Sequence, residues 1–205
     1  MITALDWSGR RSRRQAPSSP GSELASLGES DWVKAAQRGD RKAMDHLVRA
    51  HQDRVYGFLY RMSNNRDLAL DLTQETFLKA FKALGGFKPD AAMGPWLLAI
   101  ARNCFLDHTR RSAPELKSGQ GDAFEDDGAG AEDPELLRLA SDTGIMDALQ
   151  HVPSPLREAL VLRHIEDLSY EQIAEALEAP LGTVKTWLHR GRTSLRNLLE
   201  KGGGA

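Results

Sequence analysis

The stretch from Leu168 to Leu199, LSYEQIAEALEAPLGTVKTWLHRGRTSLRNLL, constrains the fold more than any other part of the chain. Tyr170, Ile173, Ala174 and Leu177 recur at the three-and-four spacing of one helix face. Glu178, Ala179 and Pro180 interrupt that pattern. Proline cannot sit in a helix interior but suits the entry to a helix, so Pro180 marks the start of a second one. That second helix runs from about Leu181 to Leu199. Its predicted buried stripe is Leu181, Val184, Leu188, Leu195 and Leu198, and Gly191 is placed for close packing. A short helix, a three-residue turn and a longer helix predict a helix-turn-helix.

The remaining faces of the second helix carry the chemistry. Thr183, Thr186 and Arg190 fall on one line, and Lys185, His189, Arg192 and Arg196 on an adjacent one. From Leu181 to Leu199 there is no Asp or Glu. A helix with an apolar back and a front of Thr, Lys, His and Arg can enter a major groove, where it reads base edges and neutralises phosphates. The same pattern also describes a solvated basic helix in a bundle. The short turn, the small Ala174 at the helix crossing and the acid-free second helix favour DNA.

Whole-chain charge hides this, because 205 residues carry a net charge of only −2. Its distribution is uneven. Residues 31–112 have fourteen Lys+Arg against nine Asp+Glu (+5), residues 113–134 one against seven (−6), and residues 181–201 five against one (+4). Two basic modules are therefore predicted on either side of an acidic connector. The one cysteine, Cys104, excludes an intramolecular disulfide and a Cys-x-x-Cys metal pair. The six histidines show no metal-binding spacing, and no nucleophile–base pair or phosphate loop is visible, so no metal, no cofactor and no enzymatic activity are expected. No run is apolar enough for a membrane span and no signal-peptide pattern is present, which predicts a cytoplasmic protein.

In chain order, residues 1–30 are rich in Ser, Gly, Pro and Arg, and read as a disordered basic arm. Residues 31–112 are helical throughout. Ser30 or Asp31 is expected to cap a first helix containing Trp32, Val33 and Ala36. A second spans about 40–62. The turn signal Asn64-Asn65 follows, with Asp67 expected to cap a third helix. The inner stripe of this third helix is Leu72, Thr76, Phe77, Ala80, Phe81 and Leu84, while Asp71, Gln74, Glu75 and Leu78 share its outer face. A leucine in an acidic, solvent-side cluster fits either a protein contact or a solvated face with one stray apolar residue. Gly85-Gly86 ends the helix, a loop carries Phe87 and Lys88, and Pro95 is expected to open a fourth helix. That helix places Leu97, Ile100, Ala101, Cys104 and His108 inside and offers Arg102, Asn103, Arg110 and Arg111. An aromatic loop beside Trp96 and arginines suits a single-stranded nucleic-acid site, although Trp96 also fits a core position. Residues 113–134 read as a flexible acidic linker. Helical patterning resumes at 135, is broken by Pro153 and Pro155, and leads through REALVLRHIED into the helix-turn-helix.

DLTQETFLKAFKAL, WLLAIARNCFLDHTRR, the acidic linker and the helix-turn-helix, in that order, resemble the bacterial extracytoplasmic-function sigma factors of the sigma-70 superfamily. The likeness covers about residues 31–200. It implies an all-α fold of two small domains, 31–112 and 135–200, without enzymatic activity. The first would bind RNA polymerase core through Asp71, Gln74, Glu75 and Leu78. It would also capture and melt the minus-10 element with Phe87, Lys88, Trp96, Arg102, Asn103, Arg110 and Arg111. The second would read the minus-35 element with Thr183, Lys185, Thr186, His189, Arg190, Arg192 and Arg196. The resemblance also implies an anti-sigma factor, expected to clamp the two domains and cover both the Asp71–Leu78 patch and the Lys185–Arg196 face.

Two positions depart from the family's pattern. Glu178 stands in the turn where the family often has Gly, and Gly94-Pro95 directly precedes Trp96. Two other readings of the residues compete: a stand-alone helix-turn-helix regulator dimerising through residues 31–112, and a helical adaptor whose basic helix docks an acidic partner.

Overall fold

The computed structural model describes residues 28–112 and 143–202. The expected arm, the acidic linker and the segment 135–142 lie outside the described residues, apart from Gly28, Glu29 and Ser30. The fold is all-α, with no strand among the described residues. The elements are α1 (Glu29–Gln37), α2 (Arg41–Ser63), α3 (Arg66–Ala83), a 3-10 turn (Leu84–Gly86), α4 (Met93–Ser112), α5 (Thr143–His151), α6 (Ser154–His164), α7 (Tyr170–Leu177) and α8 (Leu181–Gly202).

The first four helices form one bundle centred on α2, which packs against α1, α3 and α4. Val33, Leu47, Phe58, Leu59, Leu72 and Leu97 are sealed from water at its centre. The second bundle is built on α6 against α8, with α5 packing on α8 and α7 on both. Gly191 explains how closely α6 and α8 approach: a Cβ there would meet Leu160 Cγ at 2.9 Å and the Leu156 carbonyl at 3.3 Å.

Helix ends are set by short polar side chains. Asp40 caps α2, accepting from the Lys42 and Ala43 amides at 2.8 and 3.4 Å. Asn64 closes the same helix in the left-handed region (φ 49°), and its neighbour Asn65 opens α3 by accepting from Leu68 N at 3.1 Å. Three expected boundaries shift. Asn65 replaces Asp67 as the cap of α3, because it lies just outside the first turn, whereas Asp67 is already helical. At α1, Gly28 occupies the cap position with no side-chain cap, and Ser30 and Asp31 fall inside the helix. At α4 the helix begins at Met93, so Pro95 is its third residue, where a missing N–H still goes unneeded. In α8, Leu181 is exposed, so the buried stripe begins at Val184.

The turn of the helix-turn-helix is a Schellman closure. Ala179 N donates to Ala174 O at 3.0 Å and Glu178 N to Glu175 O at 3.2 Å. This closure requires a left-handed residue at position 178, and Glu178 takes φ 51°, ψ 42°. A side chain in that region costs roughly 1 kcal/mol. At the other end of α7, Ser169 and Gln172 form a reciprocal capping box, at 3.2 and 2.9 Å. Relief of the strain is measurable: Glu178→Gly should raise the urea-unfolding free energy by about 0.5–1 kcal/mol, whereas Glu178→Val should lower it.

Candidate nucleic-acid interface

Three surfaces collect the residues singled out in the sequence. The first is the outer face of α3. Asp71, Gln74 and Leu78 are exposed there, and Leu78 is 63% open to solvent. Glu75 is half-buried and pairs with Lys79 at 3.0 Å, which in turn reaches Asp107 at 3.4 Å. Leu70, 52% exposed, extends this face by one turn. Its spacing from Gln74 and Leu78, four and eight residues, was the available signal for it. Two large leucines left in water among carboxylates make an acidic patch with an apolar centre.

The second surface is the loop from Phe87 into α4. Gln37 holds the start of this loop, its Nε2 donating to Leu84 O at 2.9 Å and to Phe87 O at 2.8 Å. Nothing in the sequence pattern marked Gln37 for this task. Phe87 is buried, with its ring against Trp96 at 4.5 Å between centroids, and Trp96 is half-buried. Their aromatic wall borders a cavity of about 680 Å³ whose floor includes Lys88, Pro95 and Ala99. Lys88, Asn103, Arg110 and Arg111 are exposed. Arg102 points elsewhere: its Nε donates to Glu158 Oε2 of α6 at 2.5 Å.

The third surface is the outward face of α8. Lys185 and Arg196 are exposed, while Thr183, Thr186, His189 and Arg190 are half-buried. Arg192 is buried, which removes it from the outward set. It lies one turn after Leu188 and one turn before Leu195, both fully buried, and so sits on the edge of the apolar stripe.

The remaining reactive side chains are occupied structurally. Cys104 is fully buried, and burial pushes its thiol pKa up, which keeps it protonated and unreactive. His46 stacks on Trp32 at 4.1 Å, and His51 Nε2 lies 2.7 Å from Glu29 Oε1.

The two bundles meet along a seam where α4 packs on α7 and α2 on α5 and α6, and their buried apolar residues belong to one cluster that polar contacts also cross. Arg54 Nε donates to Glu166 Oε2 at 2.7 Å and its Nη2 to Glu166 O at 2.6 Å. Glu158 also accepts from Ser154 Oγ at 2.8 Å, and Gln150 Nε2 donates to Arg61 O at 2.8 Å. Burial pushes the Glu166 carboxyl above the usual carboxylate range, outweighing the hydrogen bond and charge of Arg54, which pull it down. The far wall of the 680 Å³ cavity belongs to the second bundle, through Gln172, Glu175 and Ala176 of α7.

Two family models match the chain: "Sigma-70 region 2" over residues 47–115 and "Sigma-70, region 4" over residues 143–195. Among named relatives, the ECF RNA polymerase sigma factor SigE of Mycolicibacterium smegmatis is 38% identical over 195 residues, covering 87% of this chain and 75% of the relative. The RNA polymerase sigma-H factor of Pseudomonas aeruginosa is 36% identical, covering 84% of this chain and 94% of that one. Among solved structures, the sigma factor RpoE of Bartonella quintana, in complex with the anti-sigma factor NepR, aligns with a TM-score of 0.62 at 25% identity. That alignment covers 78% of this chain and 98% of that one. CnrH in complex with the cytosolic domain of CnrY shares the fold, with a TM-score of 0.63 at 24% identity, over 84% of this chain and 97% of that one.

The outward face of α8 yields a direct expectation. Alanine at Lys185 or Arg190 should weaken binding to a duplex selected from a random pool by ~1–3 kcal/mol per lost base contact. Fluorescence anisotropy across a salt series checks this, with circular dichroism confirming an unchanged helix content.

Proposed function

We propose that this chain, which belongs to the extracytoplasmic-function group of the sigma-70 family of RNA polymerase sigma factors, works by dividing promoter recognition between its two bundles. It directs promoter-specific transcription initiation, and residues 31–112 and 135–200 act as separate modules in doing so. The observation that carries this reading is the coexistence of a cavity whose aromatic wall comes from the first module and whose far wall comes from α7 with an outward basic helix in the second module.

The division of labour follows from the shape of each surface. A helix face with Thr183, Lys185, Thr186, His189, Arg190 and Arg196 outward fits the major groove of an intact minus-35 duplex, where every base pair presents a distinct edge. A cavity bounded by Phe87 and Trp96, by contrast, fits a single base that has left its stack. Melting costs a few kcal/mol per opened step. Stacking a freed base on aromatic side chains returns about 1–3 kcal/mol per base, while Lys88, Asn103, Arg110 and Arg111 hold its phosphates. Only the non-template strand of the minus-10 element is gripped, which leaves the other strand free to be copied. Gln37 and the Phe87–Trp96 contact hold the loop before DNA arrives, which lowers the ordering cost of capture.

Neither module alone needs high affinity. RNA polymerase core, docked on the Leu70–Leu78 face of α3, holds both at once, so the second contact forms at high effective concentration. The reading assigns no catalysis to the chain itself and places it in the cytoplasm, where its partners would be. Among the described residues, no helix is long and apolar enough to cross a membrane. The solved complex of RpoE with the anti-sigma factor NepR favours an anti-sigma partner for this chain as well.

The test of the reading is polymerase binding. Asp71→Lys with Glu75→Lys should abolish association with purified core in gel filtration, while the melting temperature stays within a few degrees of the parent. The Glu75–Lys79 pair that this removes is a surface ion pair, worth at most about 1 kcal/mol. Normal transcription by the double variant would refute the assignment of this face.

A further inference from the structure

The first helix is too slight to hold itself in place. α1 has nine residues, no side-chain cap at Gly28, and buries only Trp32, Val33, Ala35 and Ala36. A helix of that length is unstable alone, so its position is set by its neighbours. At its C-terminal end the chain turns into α2 through Gly39, which takes φ 88° and donates its amide to Ala36 O at 2.9 Å. That turn fixes where α1 ends. On such a pivot a helix can still roll about its own axis, and the roll decides where its side chains point.

Two contacts at the other end oppose that roll. His51 Nε2 of α2 lies 2.7 Å from Glu29 Oε1, and the His46 ring stacks on Trp32 at 4.1 Å with 17° between the planes. Both contacts border a surface hollow of about 280 Å³. None of these four residues belongs to the α3 face, the base cavity or the α8 face. Gln37 is the residue whose direction matters, about 12 Å along the helix from Glu29. Its Nε2 carries two N–H bonds and spends them on two carbonyls, Leu84 O at 2.9 Å and Phe87 O at 2.8 Å. Those carbonyls begin and end the turn that Phe87 N closes onto Leu84 O at 3.0 Å. The direction of Gln37 therefore sets the backbone that carries the Phe87 ring against Trp96.

We propose that Glu29, Trp32, His46 and His51 are positioning residues for strand capture, acting at a distance from the DNA. They hold the roll of α1, α1 aims Gln37, and Gln37 keeps the Phe87 loop in the shape that receives an unstacked base. The proposal rests on the reading above for what the loop captures; the hold on the loop is a property of the chain alone. The rate of promoter opening is then set in part at a hollow that no DNA enters.

The experiment has two readouts. Amide hydrogen exchange over residues 84–92 of the full, free chain reads the hold on the loop. Holoenzyme with purified core, on a promoter taken from its own mapped start sites, reads opening through a 2-aminopurine in the minus-10 element. The opening rate is followed against holoenzyme concentration, so that its plateau (opening) separates from its half-saturation point (initial binding). Gln37→Met, of similar length but without a donor, should speed exchange of the loop. It should also lower the plateau by about tenfold, the factor that one ordinary hydrogen bond amounts to, and leave half-saturation unchanged. Gln37→Lys keeps an N–H donor and should return most of both. Glu29→Ala with His46→Ala, at two exposed positions, should speed loop exchange and lower the plateau by about threefold. Circular dichroism and thermal melting show that each variant remains folded.

Unchanged loop exchange in folded Glu29→Ala with His46→Ala overturns the proposal, and so does a loss in Gln37→Lys equal to that in Gln37→Met. A shift in half-saturation with the plateau intact overturns it as well, since the residues would then serve initial binding. Faster loop exchange with both kinetic values unchanged overturns instead the assignment of the loop to strand capture, and so separates the hold on the loop from the functional reading.

Discussion

Two carboxylates, Glu158 and Glu166, lie almost wholly out of water where the modules meet, and a buried carboxylate stays charged only where a cation meets it. That requirement ties α6 and the loop after it to Arg102 on α4 and Arg54 on α2. Buried ion pairs contribute more to arrangement than to net stability, because desolvation consumes most of the Coulombic gain. The upward displacement of the Glu166 carboxyl, despite its arginine, is the same balance seen from the proton's side. The polar contacts of the seam are therefore specific in geometry.

The apolar packing within each bundle has the opposite character. Phe58, Leu47 and Leu59 in the first module, and Leu160, Leu162 and Ile173 in the second, are fully buried. Truncating one such side chain costs about 2–5 kcal/mol. Each module has its own apolar centre, and the two centres are joined in one cluster across the seam. A bipartite DNA reader requires rigid surfaces, each fitted to one form of DNA. The loop shows the same economy, since Gln37 and the Phe87–Trp96 contact set the cavity wall without help from the second module.

Much of this was legible in the residues. Periodicity located the helices, because burial of one face imposes its spacing on any sequence that folds this way. Glu178 stood out only against the resemblance, in which Gly often holds that position, and the left-handed closure of the turn supplies the reason. The fine placement of caps was not, because Asn65 and Asp67 both offer a suitable oxygen and only the backbone decides between them. Arg192 shared a line with Lys185 and Arg196 on an ideal helix, but the apolar stripe is broad enough to take in its neighbour. The seam was the least legible. Arg54 and Glu166 are 112 residues apart, Arg102 and Glu158 are 56 apart, and in its local sequence each looks like an ordinary surface charge. Gly94 stood out as a departure, and in the structure the Arg54 guanidinium lies beside it.

The central claim is that one chain reads two promoter elements in two physical states, a duplex on α8 and an opened strand at the Phe87–Trp96 cavity, on behalf of RNA polymerase. The most direct measurement is transcription in vitro with purified core polymerase on a library of genomic fragments, with the 5′ ends of all transcripts mapped. The account predicts start sites absent with core alone, each preceded by a shared pair of sequence elements at one fixed spacing. Transcripts no different from those of core alone, or start sites sharing only a single element, would contradict it.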